Sequence, residues 1–240
     1  MKAKISVIIP IYNHAHTLAD SLRSIARQTY APAEIIIIDD GSTDGLGQKI
    51  SAIIKSSGLD PSLIKFSSQP NQGASQARNA GFAKSSSDLV IFWDADTIAH
   101  PEMLKKLRQA LLASPKSAYA YCGYKFGCKS MPSFAFEADK LKKFNYIDTT
   151  SLIRRKDFTG FDPDLKRFQD WDLWLTLLAQ NKTGVFVPKI LYKKIVSKRA
   201  GISRWLPAFV YNMPFIKTKS VLQYQQARQA LIKKHSLPNR

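Results

Sequence analysis

Three short apolar runs in the first half of the chain set its fold class. They are ISVII at residues 5–9, EIIII at residues 34–38 and LVIFW at residues 89–93. Runs of this length that are largely apolar, rather than alternating with polar residues, are typical of strands buried on both faces of a parallel sheet. A fourth, shorter strand is predicted near residues 63–67.

Helical patterns lie between these runs. Leu18, Leu22 and Ile25 recur on one helix face, and residues 47–56 and 72–85 predict two more helices. The alternation of strands and helices predicts an α/β fold with an open, mostly parallel, Rossmann-like sheet flanked by helices. Ligands of such sheets bind beyond the carboxyl ends of the strands.

The second half of the chain is less regular. Strands are predicted at residues 118–126, 145–158 and 185–196, and a loop at residues 159–168. Residues 169–180, QDWDLWLTLLAQ, have apolar side chains at helical spacing and predict a helix.

Both the apolar face and the first turn of that helix carry residues whose role can be predicted. Trp171 and Trp174 fall on its apolar face and are interpreted as core residues rather than as an aromatic platform for a ligand. Asp170 falls in its first turn, where the helix dipole favours a negative charge. A simple N-cap is the alternative interpretation of Asp170.

Polar residues follow the apolar runs. Pro10–Asn13, Asp39–Asp40 and Asp94–Asp96 each come directly after a predicted strand, so we expect them to converge on one crevice. Asp94 and Asp96 would point to the same side, and two carboxylates that close repel each other. A hard divalent cation, Mg²⁺ or Mn²⁺, would compensate for this repulsion. A solvated strand end is the alternative interpretation of this pair.

Several other classes of site are absent from the sequence. Neither G-x-G-x-x-G nor G-x-x-x-x-G-K-[ST] occurs, which argues against a dinucleotide enzyme and a P-loop ATPase. Cys122 and Cys128 match no zinc pattern, so we expect free thiols in a reducing compartment.

Three blocks together resemble family 2 glycosyltransferases of the GT-A fold. They are VIIPIYNHAHTLADSLRSIARQTYAPAEIIIIDDGSTDG, NQGASQARNAGFAKSSSDLVIFWDADT and GFDPDLKRFQDWDLWLTL, in that order. The resemblance covers residues 4–190. It implies an inverting enzyme that moves a sugar from a nucleotide-diphosphate donor, typically a UDP-sugar, to an acceptor hydroxyl.

The resemblance also assigns residues to the donor nucleotide. It implies that Pro10, Tyr12 and Asn13 line the nucleotide crevice, and that Asp40 accepts a hydrogen bond from the base while Asp39 supports it. The alternative is that Asp39 and Asp40 only cap a turn.

The remaining roles implied by the resemblance concern the diphosphate and the reaction. Arg78 would close the base or diphosphate side, Asp94 would contact the ribose or sugar, and Asp96, with Asp94, would hold the divalent cation. Asp170 would be the catalytic base. Arg78 as a surface cation of its helix is the alternative.

Two positions depart from the family pattern. Gln169 stands where the family more often has Glu, which leaves the base in place and bears on its pKa or its acceptor. Thr97 stands where the family often has a third acidic residue, which weakens the predicted metal site.

The charge of the chain is concentrated at its C-terminal end. The formal net charge is +18, and from Leu173 onwards there are 13 Lys and Arg residues and no Asp or Glu. We therefore divide the chain into a GT-A domain at 1–192, with a nucleotide-sugar half at 1–100 and an acceptor half at 101–192, and a basic, aromatic extension at 193–240.

The extension favours contact with an anionic membrane, because it mixes cations with Trp205, Phe209, Tyr211 and Phe215. A basic face that packs on the catalytic domain is the alternative. Nucleic acid is not expected as a partner, because no nucleic-acid motif occurs. Without a signal peptide or a long apolar segment, the protein is expected in the cytoplasm or peripherally on the inner membrane face.

The acceptor implied by the resemblance is an envelope polysaccharide or a lipid-linked glycan. A non-catalytic module that binds nucleotide sugars or a membrane surface on the same fold is the alternative function. The sequence leaves the sugar, the acceptor and the oligomeric state open.

Overall fold

The computed structural model describes residues 3–196 and 218–237 of the chain. Within these residues the strands are β1 (Ile5–Ile11), β2 (Glu34–Asp39), β3 (Ile64–Ser68), β4 (Leu89–Phe92), β5 (Thr97–Ala99), β6 (Ser117–Phe126), β7 (Lys129–Ser130), β8 (Leu152–Arg154) and β9 (Thr183–Lys194). The helices are α1 (Ala15–Ala26), α2 (Leu46–Ser57), α3 (Ala74–Lys84), α4 (Met103–Ala113), α5 (Ala138–Lys143), α6 (Gln169–Ala179) and α7 (Lys219–Lys234).

The strands form one open sheet in the order β3-β2-β1-β4-β8-β6-β9-β5, with β7 paired to β6. The first four strands are parallel, as predicted. The second half is mixed, because β8 is antiparallel to both β4 and β6, whereas β6 and β9 are parallel. The predicted parallel arrangement therefore applies to the first half of the sheet.

The direction of β8 follows from where its chain begins. Asp148 lies four residues before β8 and contacts Lys194, which also contacts Asp94 beyond the end of β4. The chain thus reaches β8 at the carboxyl edge of β4 and can only run back along it. Of the predicted strand at 145–158, only Leu152–Arg154 pairs in the sheet.

The core lies on both faces of the sheet. Val7 and Ile9 of β1 pack with α1, α2 and α4 on one face, and Ile8 packs with α3 and α6 on the other. All three side chains are fully buried, which is why the strand is almost entirely apolar; its one polar side chain, Ser6, is also buried and donates a hydrogen bond to Glu34. Trp171 and Trp174 are buried in the second cluster, which confirms their interpretation as core residues.

Helix α3 approaches the sheet closely because its residues are small. A Cβ atom added at Gly81 would lie 2.4 Å from the Cγ2 atom of Ile8. This close approach brings Arg78, one turn earlier on α3, to the carboxyl edge of β4, where it contacts Asp94.

Part of the basic extension packs on the domain. Val221 and Leu231 of α7 are fully buried, and Leu231 belongs to the core cluster that contains Trp171. The interpretation of a basic face that packs on the domain thus fits α7. The aromatic residues on which the membrane prediction depends lie outside the described residues, namely Trp205, Phe209, Tyr211 and Phe215. No helix of residues 3–196 and 218–237 has the length and apolarity needed to cross a membrane.

Candidate active site

The carboxyl ends of β1, β2 and β4 place the predicted polar residues at one edge of the sheet. Asp39 ends β2, and Asp94 follows β4, with β1 between the two strands. The parallel direction of these strands is the reason that residues far apart in sequence share this edge.

Asp39 and Asp40 hold two loops at this edge of the sheet. The Oδ1 atom of Asp39 accepts a hydrogen bond of 2.9 Å from the backbone N–H of Ser42. Asp40 accepts hydrogen bonds from the backbone N–H groups of Gln72 (2.9 Å) and Gly73 (2.8 Å). Asp39 thus caps the turn at Ser42, and Asp40 anchors the loop that leads into α3.

Asn13 joins the end of β1 to the turn after β2. Its Oδ1 atom accepts a hydrogen bond of 2.7 Å from the backbone N–H of Thr43, and its own N–H donates to Ser42 Oγ at 2.9 Å. Its φ of 57° lies in the left-handed region, which Asn tolerates better than most residues. Tyr12 beside it is 47% exposed, so its ring is available to a ligand, and Pro10 is partly buried.

Arg78 connects the second and third sequence blocks. Its side chain is 9% exposed, so it is not a surface cation. One guanidinium N–H group donates to Gln169 Oε1 at 2.8 Å and another to Asp94 Oδ1 at 3.0 Å. Gln169 thereby accepts a hydrogen bond from the charged guanidinium, where a Glu would form a second ion pair.

Asp94 lies between two cations. Lys194 Nζ donates to Asp94 Oδ2 at 2.8 Å and to Asp148 Oδ2 at 2.6 Å, while Arg78 holds the other oxygen of Asp94. The Lys194 and Arg78 charges hold the pKa of Asp94 well below its usual range, although burial opposes them. The Asp148 and Asp94 charges raise the pKa of Lys194 well above normal, likewise against burial.

Asp96 differs from Asp94. Burial and the Asp94 charge raise the pKa of Asp96 to about 6. Its Oδ1 atom is buried and has no hydrogen-bond partner in the described part of the chain, and the Oγ1 atom of the buried Thr97 has none either.

The residues present fit a divalent cation at Asp96, since a buried carboxylate oxygen without a partner is the donor that Mg²⁺ or Mn²⁺ needs. Asp94 could contribute only by giving up part of its contact with Lys194 or Arg78. Within residues 3–196 and 218–237, no group of three or more His, Cys, Asp or Glu side chains could hold a metal without help. The donor diphosphate would therefore have to complete the coordination.

Asp170 lies in the first turn of α6, as predicted. Its Oδ2 atom accepts a hydrogen bond of 2.8 Å from Asn145 Nδ2, and its Oδ1 atom accepts one from the backbone N–H of Trp171. Burial and the nearby Asp148 charge raise the pKa of Asp170 to about 6. The carboxylate is thus oriented through both oxygens and lies within the field of Lys194 and Arg78.

A cavity of about 380 Å³ opens beside Asp170. Its walls combine cationic, acidic, amide and aromatic side chains, and they include Arg78, Lys194, Asp148, Asp170, Asn145, Lys166, Arg167, Tyr124, Phe168 and Tyr224. Its volume is within the range of small-molecule sites.

The predicted site residues thus fall into two groups. Arg78 and Asp170 line the cavity, and Asp94 contacts Arg78 and Lys194 on its wall. Six of the predicted residues do not line it, namely Pro10, Tyr12, Asn13, Asp39, Asp40 and Asp96. The charge of Asp94 acts on both groups, because it raises the pKa of Lys194 and the pKa of Asp96.

Sequence reasoning missed three residues of this site. Asn145 contacts Asp170, Lys194 contacts Asp94, and Asp148 pairs with Lys194, but none of the three belongs to a motif. The only sequence signal for Lys194 was a Lys pair on a predicted strand, where the exposed Lys193 faces solvent and Lys194 is largely buried.

Comparison with known proteins identifies the family. The family model for glycosyl transferase family 2 matches residues 6–161. An uncharacterized glycosyltransferase, YwdF of Bacillus subtilis, is 31% identical over 187 residues, which cover 72% of this chain and 67% of YwdF. An uncharacterized glycosyltransferase of Nostoc is 40% identical over 111 residues, 46% of this chain, and the match spans only 34% of that relative.

Solved structures share the fold. Staphylococcus aureus TarS in complex with UDP-GlcNAc superposes with a TM-score of 0.68 at 19% identity, covering 97% of this chain and 73% of that one. The mannosyltransferase PcManGT of Pyrobaculum calidifontis, in complex with GDP-Man and Mn²⁺, gives a TM-score of 0.68 at 18% identity and covers 100% of this chain and 66% of that one.

The fold is that of the GT-A nucleotide-sugar glycosyltransferases, which confirms the expected fold class. The chain belongs to glycosyl transferase family 2.

Proposed function

We propose that this chain transfers a sugar from a nucleotide-diphosphate donor, a UDP-sugar, to an acceptor hydroxyl with inversion at the anomeric carbon. The observation that carries the proposal is the position of Asp170. This oriented carboxylate lines an open cavity and is separated from the donor-side carboxylates by Arg78 and Gln169. Donor and acceptor would therefore approach from opposite sides of the Arg78 guanidinium.

In this proposal Asp170 is the general base. One of its oxygens takes the proton of the acceptor hydroxyl, while Asn145 and the backbone N–H of Trp171 keep the carboxylate in place. General-base assistance of this kind contributes roughly 10²–10⁴-fold to the rate. Direct displacement with inversion needs no second nucleophilic carboxylate.

On the donor side, Pro10, Tyr12 and Asn13 would line the nucleotide crevice, and Asp40, supported by Asp39, would bind the base. Asp96, with Asp94, would hold Mn²⁺ or Mg²⁺, which when bound neutralises the diphosphate leaving group. Arg78 supports the proposal because its buried guanidinium already faces Asp94 and can share the negative charge that develops on the diphosphate.

The base assignment is tested with Asp170→Asn. We expect it to keep UDP affinity within about twofold and to lose at least 10²-fold in turnover of a UDP-sugar, because the amide cannot accept the proton. Asp164→Asn, an exposed loop residue, is the matched control and should keep wild-type turnover. Near-normal turnover in Asp170→Asn would show that another group is the base.

The metal assignment is tested by calorimetry of UDP binding with Mn²⁺ and with EDTA. Wild-type protein should bind UDP more tightly with Mn²⁺, and Asp96→Ala should lose this difference because it lacks the unpartnered carboxylate oxygen. An undiminished Mn²⁺ effect in the variant would refute Asp96 as the ligand. Wild-type protein that binds UDP but releases none from UDP-sugars would instead favour a non-catalytic module.

A further inference from the structure

We propose that α7 is part of the acceptor site, and that Tyr224 with Phe168 forms an aromatic platform on which the ring of an acceptor sugar packs beside Asp170. This inference rests on the proposed function and names a glycoside as the ligand class of the cavity. It assigns a role to a helix that lies outside the matched residues 6–161.

The first observation is the way α7 is attached to α6. Lys234 Nζ lies 2.9 Å from Asp172 Oδ1 and 2.6 Å from Asp162 Oδ2, and His235 Nε2 lies 2.7 Å from Asp172 Oδ1. Asp172 is 4% exposed and lies two residues after Asp170. A buried carboxylate needs such partners. The end of α7 therefore supplies the partners of Asp172, on the helix that also carries the proposed base.

The second observation is the aromatic pair. The rings of Tyr224 and Phe168 meet edge to face, with their centroids 5.0 Å apart and an interplanar angle of 69°. Both residues line the cavity that contains Asp170. The aromatic pair thus lines the same cavity as Asp170.

The third observation is the backbone of Phe168. Its φ of 61° lies in the left-handed region, which is unfavourable for a bulky residue, and its C=O accepts the N–H of Asp172 to begin α6. Contacts of Phe168 with Trp171 on one side and Tyr224 on the other hold it there. Surrounding structure that holds a residue in a strained conformation is common at ligand sites.

The ligand class follows from the chemistry of the wall. A pyranose presents an apolar C–H face, which an aromatic ring can cover, and hydroxyl groups at its rim. With its ring on Tyr224 and Phe168, one rim hydroxyl can reach Asp170. Asn145 and Asp148 offer further hydrogen-bond partners on the same cavity wall.

The test measures glycoside binding rather than turnover. A panel of methyl glycosides of glucose, galactose, mannose and N-acetylglucosamine is titrated by saturation-transfer NMR against the whole chain in UDP and Mn²⁺. We expect wild-type protein to bind at least one glycoside, Tyr224→Ser to weaken that binding about tenfold, and Tyr224→Phe to keep it. UDP affinity, measured in parallel, should be the same in all variants.

Leu222→Ser is the matched control, because Leu222 lies on the same helix and is 42% exposed. It should keep wild-type affinity for both ligands. The inference is overturned if no glycoside binds wild-type protein, if Tyr224→Ser binds it normally, if Leu222→Ser loses as much, or if UDP affinity falls together with glycoside affinity. Failure of wild-type protein to bind UDP would instead overturn the proposed function.

Discussion

At the residue scale, Asp170 sets an expected pH dependence. Its pKa is raised to about 6 by burial and by the Asp148 charge, and a general base must be ionised to accept a proton. Turnover is therefore expected to be full above pH 7 and to fall as the pH drops through 6. A profile of kcat/KM against pH should show this limb, and a flat profile from pH 5 to 8 would contradict the assignment.

A substitution of Asn145 tests whether this acidic limb belongs to Asp170. Its Nδ2–H group donates to the carboxylate and so stabilises the charged form. Asn145→Ala should raise the pKa of Asp170 and move the acidic limb to higher pH, while Gln180→Ala, at an exposed position just after α6, should leave the limb unmoved. A limb that does not respond to Asn145→Ala would belong to another group.

Lys194 is the second residue with a measurable consequence. Lys194→Met leaves Asp94 without one of its two cations and removes the cation that is paired with Asp148, whose side chain is 9% exposed. We expect the free energy of unfolding to fall by about 3 kcal/mol in urea at pH 7, because breaking a buried pair strands its partner.

Two controls accompany this measurement. Lys193→Met, on the exposed face of the same strand, should change stability by no more than about 0.5 kcal/mol. In an Asp148→Asn background, Lys194→Met should cost less, since one stranded charge is gone. Equal costs in both backgrounds would show that Asp148 and Lys194 are not coupled.

At the element scale, the contact of α3 with β1 depends on Gly81. Gly81→Ala would place a methyl group against Ile8, so we expect it to destabilise the protein by about 1–3 kcal/mol, although Ala is the better helix former. Gly47→Ala is the matched change on α2, where nothing lies within 4 Å, and it should be neutral or stabilising. Thermal unfolding of both variants decides this, and a stabilised Gly81→Ala would contradict the close contact.

The strands and helices also show how far local sequence patterns can predict secondary structure. The strands of the first half were predicted because their apolar runs are buried on both faces, so the local sequence reports the environment directly. Helix α4 and strand β5 were not predicted from the sequence. One face of α4 nevertheless carries a regular set of fully buried apolar residues, Met103, Leu104, Leu107 and Leu111. The helix α4 could therefore have been predicted from its apolar spacing, whereas the three residues of β5 are too few to predict a strand.

At the scale of the whole molecule, charge is divided between a mixed domain and a basic end. We propose that the extension at 193–240 also contacts an anionic membrane, since it combines Lys and Arg with aromatic residues. The protein should co-sediment with vesicles that contain phosphatidylglycerol, and high salt should release it. Vesicles of phosphatidylcholine alone are the control, and equal binding to both would contradict the proposal.

The motifs of the candidate site could be predicted from the sequence because they adjoin elements with a strong pattern. Asp39 and Asp94 lie at the ends of parallel strands, which meet at one edge of the sheet, and Asp170 lies in the first turn of the amphipathic helix α6. The residues that contact these motifs could not be predicted in the same way. Arg78 contacts Gln169 across 91 residues of sequence, and Lys194 contacts Asp94 across 100.

Hydrophobic periodicity is a property of short stretches of chain, so it was enough to predict β1–β4 and α1–α3 in order, together with the acidic residues that follow β2 and β4. The sharing of Asp94 by Lys194 and Arg78, and the approach of α7 to the cavity beside Asp170, are visible only in the folded chain. Those contacts depend on the direction of β8 and β9 and on the packing of α7, which no local pattern specifies.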